Sequence, residues 1–147
     1  MTLNERFPEW FCGDEQAGHF AALLWTASQA WDDLEDEGQA DDMNAAISFL
    51  AFGKEYHPFF ARHAAVLRPA LLGFYLDWRA ANEMERSAEG DDRAMAWMLR
   101  AGFYRVLHMM AWCCGGDDHA ARVGPAIWRS YGEPLAGFLE EMEAAHG

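Results

Sequence analysis

The sequence predicts an all-α protein, a single-domain bundle of about six helices over residues 1–147, on three observations. Strand signals are nearly absent: β-branched residues are few, no apolar–polar alternation is sustained, and no Asn-Gly or Asp-Gly hairpin turn occurs. Apolar residues recur instead at three- and four-residue spacing, the period of a helix with one face in a core. Start and stop residues, Asp before and Gly or Pro after, bracket those periodic stretches.

The first long helix is expected over residues 14 to 37, with Asp14 as N-cap and Gly38 just past its end. A second runs from about Asp42 to Lys54, after which Pro58 punctuates. A third covers about 59 to 87, with a break or kink at Pro69 because proline removes a backbone donor and crowds the preceding turn. The fourth spans about 92 to 114, opened by Asp91 or Asp92 and closed by Gly115-Gly116. Two shorter helices follow, 117 to 123 and 134 to 145, around a turn containing Gly124-Pro125 and Tyr131-Gly132.

Periodicity assigns the buried faces. In the first helix Phe20, Leu23, Ala27, Trp31 and Leu34 make one stripe, while Gly18, Ala21, Ala22 and Trp25 lie opposite, so its middle is apolar nearly all round. The third offers Leu67, Leu71, Phe74, Trp78 and Ala81. The fourth carries Leu99, Phe103, Val106, Met110 and Cys113 on one side, with Trp97, Ala101, Tyr104, His108 and Trp112 on the other. Two doubly apolar helices require either an inner pair wrapped by the others or a homodimer that covers one face.

A chain of 147 residues that is 52% hydrophobic has material for one core. Its formal net charge of -13 opposes attraction to nucleic acid and to anionic membrane surfaces, so neither is an expected partner. No Lys or Arg falls between Arg6 and Lys54, whereas seven acids crowd residues 32 to 42, so the acidic first third is expected to meet the arginines of the remainder. Cys12, Cys113 and Cys114 have neither zinc-type spacing nor a disulfide framework, which fits a cytoplasmic location. No basic segment followed by an apolar run opens the chain, and Arg100, Arg105 and His108 interrupt the longest apolar helix, against a membrane span.

The stretch Trp31-Asp-Asp-Leu-Glu-Asp-Glu-Gly38 puts acids where a helix dipole disfavours them and where like charges four apart repel. Asp32, Asp33 and Asp36 place carboxylates one above another with a third beside them, an oxygen set suited to Mg2+ or Mn2+. Asp77, Asn82 and Glu85 border the core stripe of the third helix and are expected to form the opposite wall of a metal site. Arg100 and Arg105, with Arg79, Arg86 and Arg93 at seven-residue intervals, are candidates to grip a phosphate-bearing small molecule, since guanidinium groups bind phosphate as a fork. Interhelical ion pairing is the plainer role for the same arginines. His108, on the aromatic face of the fourth helix, is the candidate catalytic base. The chain lacks the two Glu-x-x-His motifs of the di-iron bundle type, having only Glu143-x-x-His146, and it has no Gly-x-Ser-x-Gly elbow.

Asp32-Asp33-x-x-Asp36 resembles the aspartate-rich helix of isoprenoid synthases, and it is similar to the acidic helix of all-α nucleotide pyrophosphohydrolases. Asn82-x-x-Glu85, lying farther along the chain, would substitute for the latter's second acidic pair. Both resemblances imply a divalent metal on a diphosphate. Trp31-Asp32-Asp33-Leu34-x-Asp36, Trp78-x-Ala80-Ala81-Asn82-x-x-Glu85 and the segment from Gly115-Gly116 to Gly124-Pro125 resemble small proteins of tailed phages and prophages, which implies such an origin and no particular activity. Two functions are therefore expected: a metal-dependent hydrolase of a nucleotide or other diphosphate, or a noncatalytic helical phage protein that binds a protein partner.

Overall fold

The computed structural model describes residues 2–37, 48 and 53–146, with side chains described outside 33–37. The described residues form helices only: α1 (Leu3–Trp10), α2 (Glu15–Glu37), α3 (Lys54–Tyr56), α4 (Pro58–Arg62), α5 (Ala64–Met84), α6 (Asp92–Leu99), α7 (Gly102–Arg129) and α8 (Leu135–His146). The all-α expectation holds, with eight helices among the described residues rather than about six. Most of the expected helix from Asp42 to Lys54 lies outside them. None of the described helices is long and apolar enough to cross a membrane.

The additional elements have local causes. α1 goes unforeseen because Pro8 stands inside it, yet Phe7, Trp10 and Phe11 fall on one face and are buried, which outweighs one missing backbone donor. Asp14 caps α2 as expected, its Oδ1 accepting from the Gln16 and Ala17 amides. The buried stripe of α2 is Ala17, Phe20, Ala21, Leu24 and Ala27, so Leu24 rather than Leu23 enters the core. α5 runs through Pro69 without a break, because Pro69 is exposed and the carbonyl it leaves unpaired can be hydrated. The break comes earlier, at His63, whose carbonyl starts the new helix by accepting from Val66 and Leu67.

The expected fourth helix is divided at Arg100 and Ala101, where the Ala101 amide turns to the Met98 carbonyl and Tyr104 bonds back to Ala101. The next residue, Gly102, lies so close to Phe74 of α5 that a Cβ there would meet the ring at 3.0 Å. α7 then has two arms hinged at Gly116, whose φ of 82° only glycine adopts readily. Twenty residues of straight helix would separate His108 from Trp128 by about 30 Å. Instead the Trp128 indole donates to His108 Nδ1 at 3.2 Å, and His108 Nε2 meets the Ala120 carbonyl at 2.9 Å. The second arm therefore folds back along the first. Gly124 lies under the imidazole, where a Cβ would come within 2.7 Å of Nε2.

The main core joins α1, α2, α4, α5 and both arms of α7, with Trp10, Phe11, Phe20, Phe59, Phe60, Leu67, Leu107, Met110 and Ile127 fully buried. Residues 101–104, 106, 107, 110 and 111 are buried, so most of the first arm of α7 is enclosed, with Arg105 and Trp112 on its exposed side. A smaller core of Ala81, Ala96 and Phe138 fixes α8 against α5 and α6.

His57 is buried beside Phe20 and caps α4 by accepting the Phe59 amide at Nδ1; its Nε2 meets His19 Nδ1 at 3.1 Å. Its Nε2 therefore carries the proton of a neutral ring. Burial, then His19, pushes the His57 pKa below the usual histidine value of 6.5, and burial, then Arg62, does the same for His63. Because the folded state favours the neutral rings, their contribution is complete above pH 6.5 and declines as pH falls below it. Thermal melts are expected to fall between pH 7 and pH 5.5, and His57→Asn, which keeps a capping acceptor, should make that decline shallower.

Candidate functional site

A cleft of about 460 Å3 opens between α2, α5, the α6–α7 junction and residues 131–133. α2 contributes Leu24, Trp25, Ser28, Gln29, Trp31 and Asp32; α5 contributes Leu71, Phe74, Tyr75 and Trp78. Arg100, Phe103, Tyr104, Tyr131, Gly132 and Glu133 complete the lining. Its size falls among small-molecule sites, which are mostly apolar with a few placed polar groups.

The walls follow from helical spacing. Trp25, Ser28 and Asp32 recur at three and four residues on α2, as Leu71, Tyr75 and Trp78 do on α5, so one face of each helix forms a wall of the cleft. The rings touch in sequence: Trp25 lies 5.0 Å from Phe103, Phe103 is edge-on to Tyr104 at 5.5 Å, Tyr104 lies 5.6 Å from Tyr131, and Tyr131 lies 5.3 Å from Trp97. Trp31 meets Trp78 edge to face at 6.0 Å. A reciprocal clamp holds the 131–133 segment, since the Trp97 indole donates to the Glu133 carbonyl at 2.7 Å and the Tyr131 hydroxyl donates to the Trp97 carbonyl at 3.1 Å.

The polar groups are the predicted residues in different company. Asp32 accepts from the Trp78 indole at 2.7 Å, a hydrogen bond that ties α2 to α5 at the cleft. Arg100 donates from Nε to Glu85 at 2.7 Å and from an outer nitrogen to Asn82 at 2.7 Å. Asn82 and Glu85 thus border an arginine, and all three side chains are partly buried. Asp77 lies 3.7 Å from Arg105 in an ion pair on the outer side of α5 and α7. His108, with both ring nitrogens engaged inside α7, does not line the cleft. Asp33 and Asp36 belong to the last turns of α2, and their side chains lie outside the description. Among the described residues no group of three His, Cys, Asp or Glu side chains has the placement to hold a metal ion.

The other arginines find partners close by. Arg79 donates to the Tyr75 hydroxyl at 2.9 Å, Arg86 lies 3.8 Å from Glu83, and Arg93 pairs with Glu143 of α8 at 2.9 Å. Only Arg62, with Asp14 at 3.0 Å, joins the two differently charged parts of the chain among these described pairs. Burial, then Glu141, raises the Glu133 carboxyl above the usual range, with Arg100 opposing the shift. Burial raises the Tyr131 phenol as well, followed by Glu133.

Glu133 and Tyr131 are the site residues that sequence reasoning passes over, because their segment reads as an ordinary turn. A signal for the aromatic walls was present, in Trp25, Trp31, Phe74, Tyr75 and Trp78 clustered on two helices expected to pack together. Comparison with protein-family models, with curated proteins and with solved structures returns no match for this chain.

Arg100→Ala is expected to cost about 2–3 kcal/mol in urea denaturation, because it strips a partly buried carboxylate and an amide of charge-assisted hydrogen bonds. Arg100→Ala combined with Glu85→Gln should recover part of that loss, a non-additivity that reports the pairing itself.

Proposed function

We propose that this chain is a noncatalytic binding protein whose aromatic cleft receives a cationic side chain of a protein partner, a lysine or arginine flanked by apolar residues. The observation that carries this reading is the composition of the cleft: indole, phenyl and phenol rings in tilted and edge-to-face contact, the carboxylates of Asp32 and Glu133, and an arginine bonded to Glu85 and Asn82. Aromatic faces attract cations by their quadrupole, by up to about 2 kcal/mol once water is displaced. The overall charge of -13 favours approach of a basic partner. Leu72 and Leu76, both more than half exposed, neighbour Tyr75 on α5 and extend the apolar surface beyond the cleft mouth.

The metal-dependent hydrolase finds less support. Of its expected ligands, Asn82 and Glu85 serve Arg100, Asp77 faces Arg105, and Asp32 holds Trp78. A metal on Asn82 or Glu85 would compete with the Arg100 guanidinium for the same oxygens.

Indole fluorescence provides the test. A short Leu-Lys-Leu peptide is expected to change the tryptophan emission on titration, whereas the Leu-Glu-Leu analogue is not. Asp32→Asn should weaken the lysine peptide about tenfold, equivalent to about 1.4 kcal/mol. Equal binding of the two peptides, or no binding of either, would refute the reading. A Mg2+- or Mn2+-dependent rise in melting temperature that disappears in Asp32→Asn would return the hydrolase to first place.

A further inference from the structure

Cys12, Cys113 and Cys114 are the only cysteines of the chain, and all three line a second cleft of about 520 Å3 together with Asp14, Arg62 and His63. All are free thiols. About a hundred residues separate the first from the pair, so the fold alone brings them together: Cys12 on the corner between α1 and α2, the pair on the first arm of α7.

The corner is unusual. Cys12 has a φ of 52°, the single positive φ outside glycine among the described residues, and such a conformation costs free energy that its surroundings must offset. Gly13 donates to the Pro8 carbonyl and Asp14 to the Phe11 carbonyl, both within 2.9 Å, which holds the turn. The turn leaves Cys12 exposed, with Sγ 3.5 Å from His119 Nε2. That nitrogen also meets the Trp10 carbonyl at 2.7 Å, and Nδ1 accepts from Arg122, so the ring proton is on Nε2 and is donated to the Trp10 carbonyl, with the Cys12 sulfur lying beside that bond.

The two helix cysteines differ from it. Both are half-buried, and burial pushes both thiols up, Cys114 to about 12. After burial and Asp14, the next influence on Cys114 is Cys12, ahead of its chain neighbour Cys113. Adjacent residues on a helix point about 100° apart, so Cys113 and Cys114 face the cleft differently, and Cys114 is under the influence of Asp14, Cys12 and Arg62, which line the same cleft.

We propose that Cys12 and Cys114 form a peroxide-oxidised thiol pair, with Cys12 the sulfur that meets the oxidant and Cys114 the one that resolves it. The Cys12 sulfur attacks an oxygen of a hydroperoxide; the S–O bond forms as the O–O bond breaks, and the thiol proton leaves with the alcohol or water. Cys12 is then a sulfenic acid. Cys114 attacks that sulfur, the S–S bond forms, and hydroxide leaves with the Cys114 proton as a second water. Two thiols lose two electrons and one peroxide gains them. Exposure of Cys12 and burial of Cys114 set the order of events, and the product ties the α1–α2 corner to α7 across the intervening chain.

Hydrogen peroxide at a few equivalents, followed by thiol titration and peptide mapping without reductant, tests this. The expected result is a fall from three free thiols to one, a peptide linking Cys12 to Cys114, and a higher melting temperature that dithiothreitol reverses. Cys113→Ser should keep the link. Cys114→Ser should leave Cys12 as a sulfenic acid trapped by dimedone, and Cys12→Ser should retain both helix thiols. In urea the pairing preference should vanish. A link between Cys12 and Cys113 that survives in Cys114→Ser would overturn the assignment, as would oxidation of the helix thiols in Cys12→Ser at the wild-type rate or no intrachain link in the folded protein.

Discussion

The reversal of α7 at Gly116 is the constraint on which the other parts depend. It is held by one imidazole: Trp128 donates into His108 from one side, His108 reaches the Ala120 carbonyl on the other, and Gly124 leaves room beneath the ring. Both His108 nitrogens are spent on this, which explains why a histidine on an aromatic helix face does structural service in this chain. Only because the second arm returns along the first does Tyr131 reach Tyr104 and Trp97, closing the aromatic cleft. The same return brings His119 to the end of α1, where it meets the Trp10 carbonyl and the Cys12 sulfur. One hinge therefore shapes two clefts on different parts of the molecule.

Charge is distributed by a local rule. Arginines pair mostly with acids or hydroxyls on their own helix or an adjacent one, as Arg79 with Tyr75, Arg86 with Glu83 and Arg100 with Glu85. Exposed pairs of this kind add little stability. The Arg100 group is different because its members are partly buried, with two short hydrogen bonds spreading from one guanidinium. It anchors the α6–α7 junction to the end of α5, and it places Arg100 in the cleft lining together with Asp32 and Glu133.

The candidate site was legible in pieces. Asp32, Asn82, Glu85 and Arg100 all stand out in the sequence as polar residues bordering apolar stripes, and all four lie at or beside the cleft. Their chemistry was not legible, since spacing along one helix does not say which side chain from another helix will arrive. Asp32 receives an indole, and Asn82 and Glu85 receive a guanidinium. Glu133 and Tyr131 carried no periodic signal, because they belong to a turn whose place depends on the α7 hinge.

Sequence by itself determined the helical class, the Asp14 cap and the core stripe of α5, because each depends on interactions within a few turns of one helix. It also marked Gly115-Gly116 as a stopping point. Tertiary structure alone decided that the chain doubles back there, that α1 forms despite Pro8, that helix breaks fall at His63 and Arg100 instead of Pro69, and that Cys12 shares a cleft with Cys113 and Cys114. These outcomes depend on which residues distant in the chain compete for the same buried space. Local periodicity holds no information about that competition, whereas close packing of a finite core decides it.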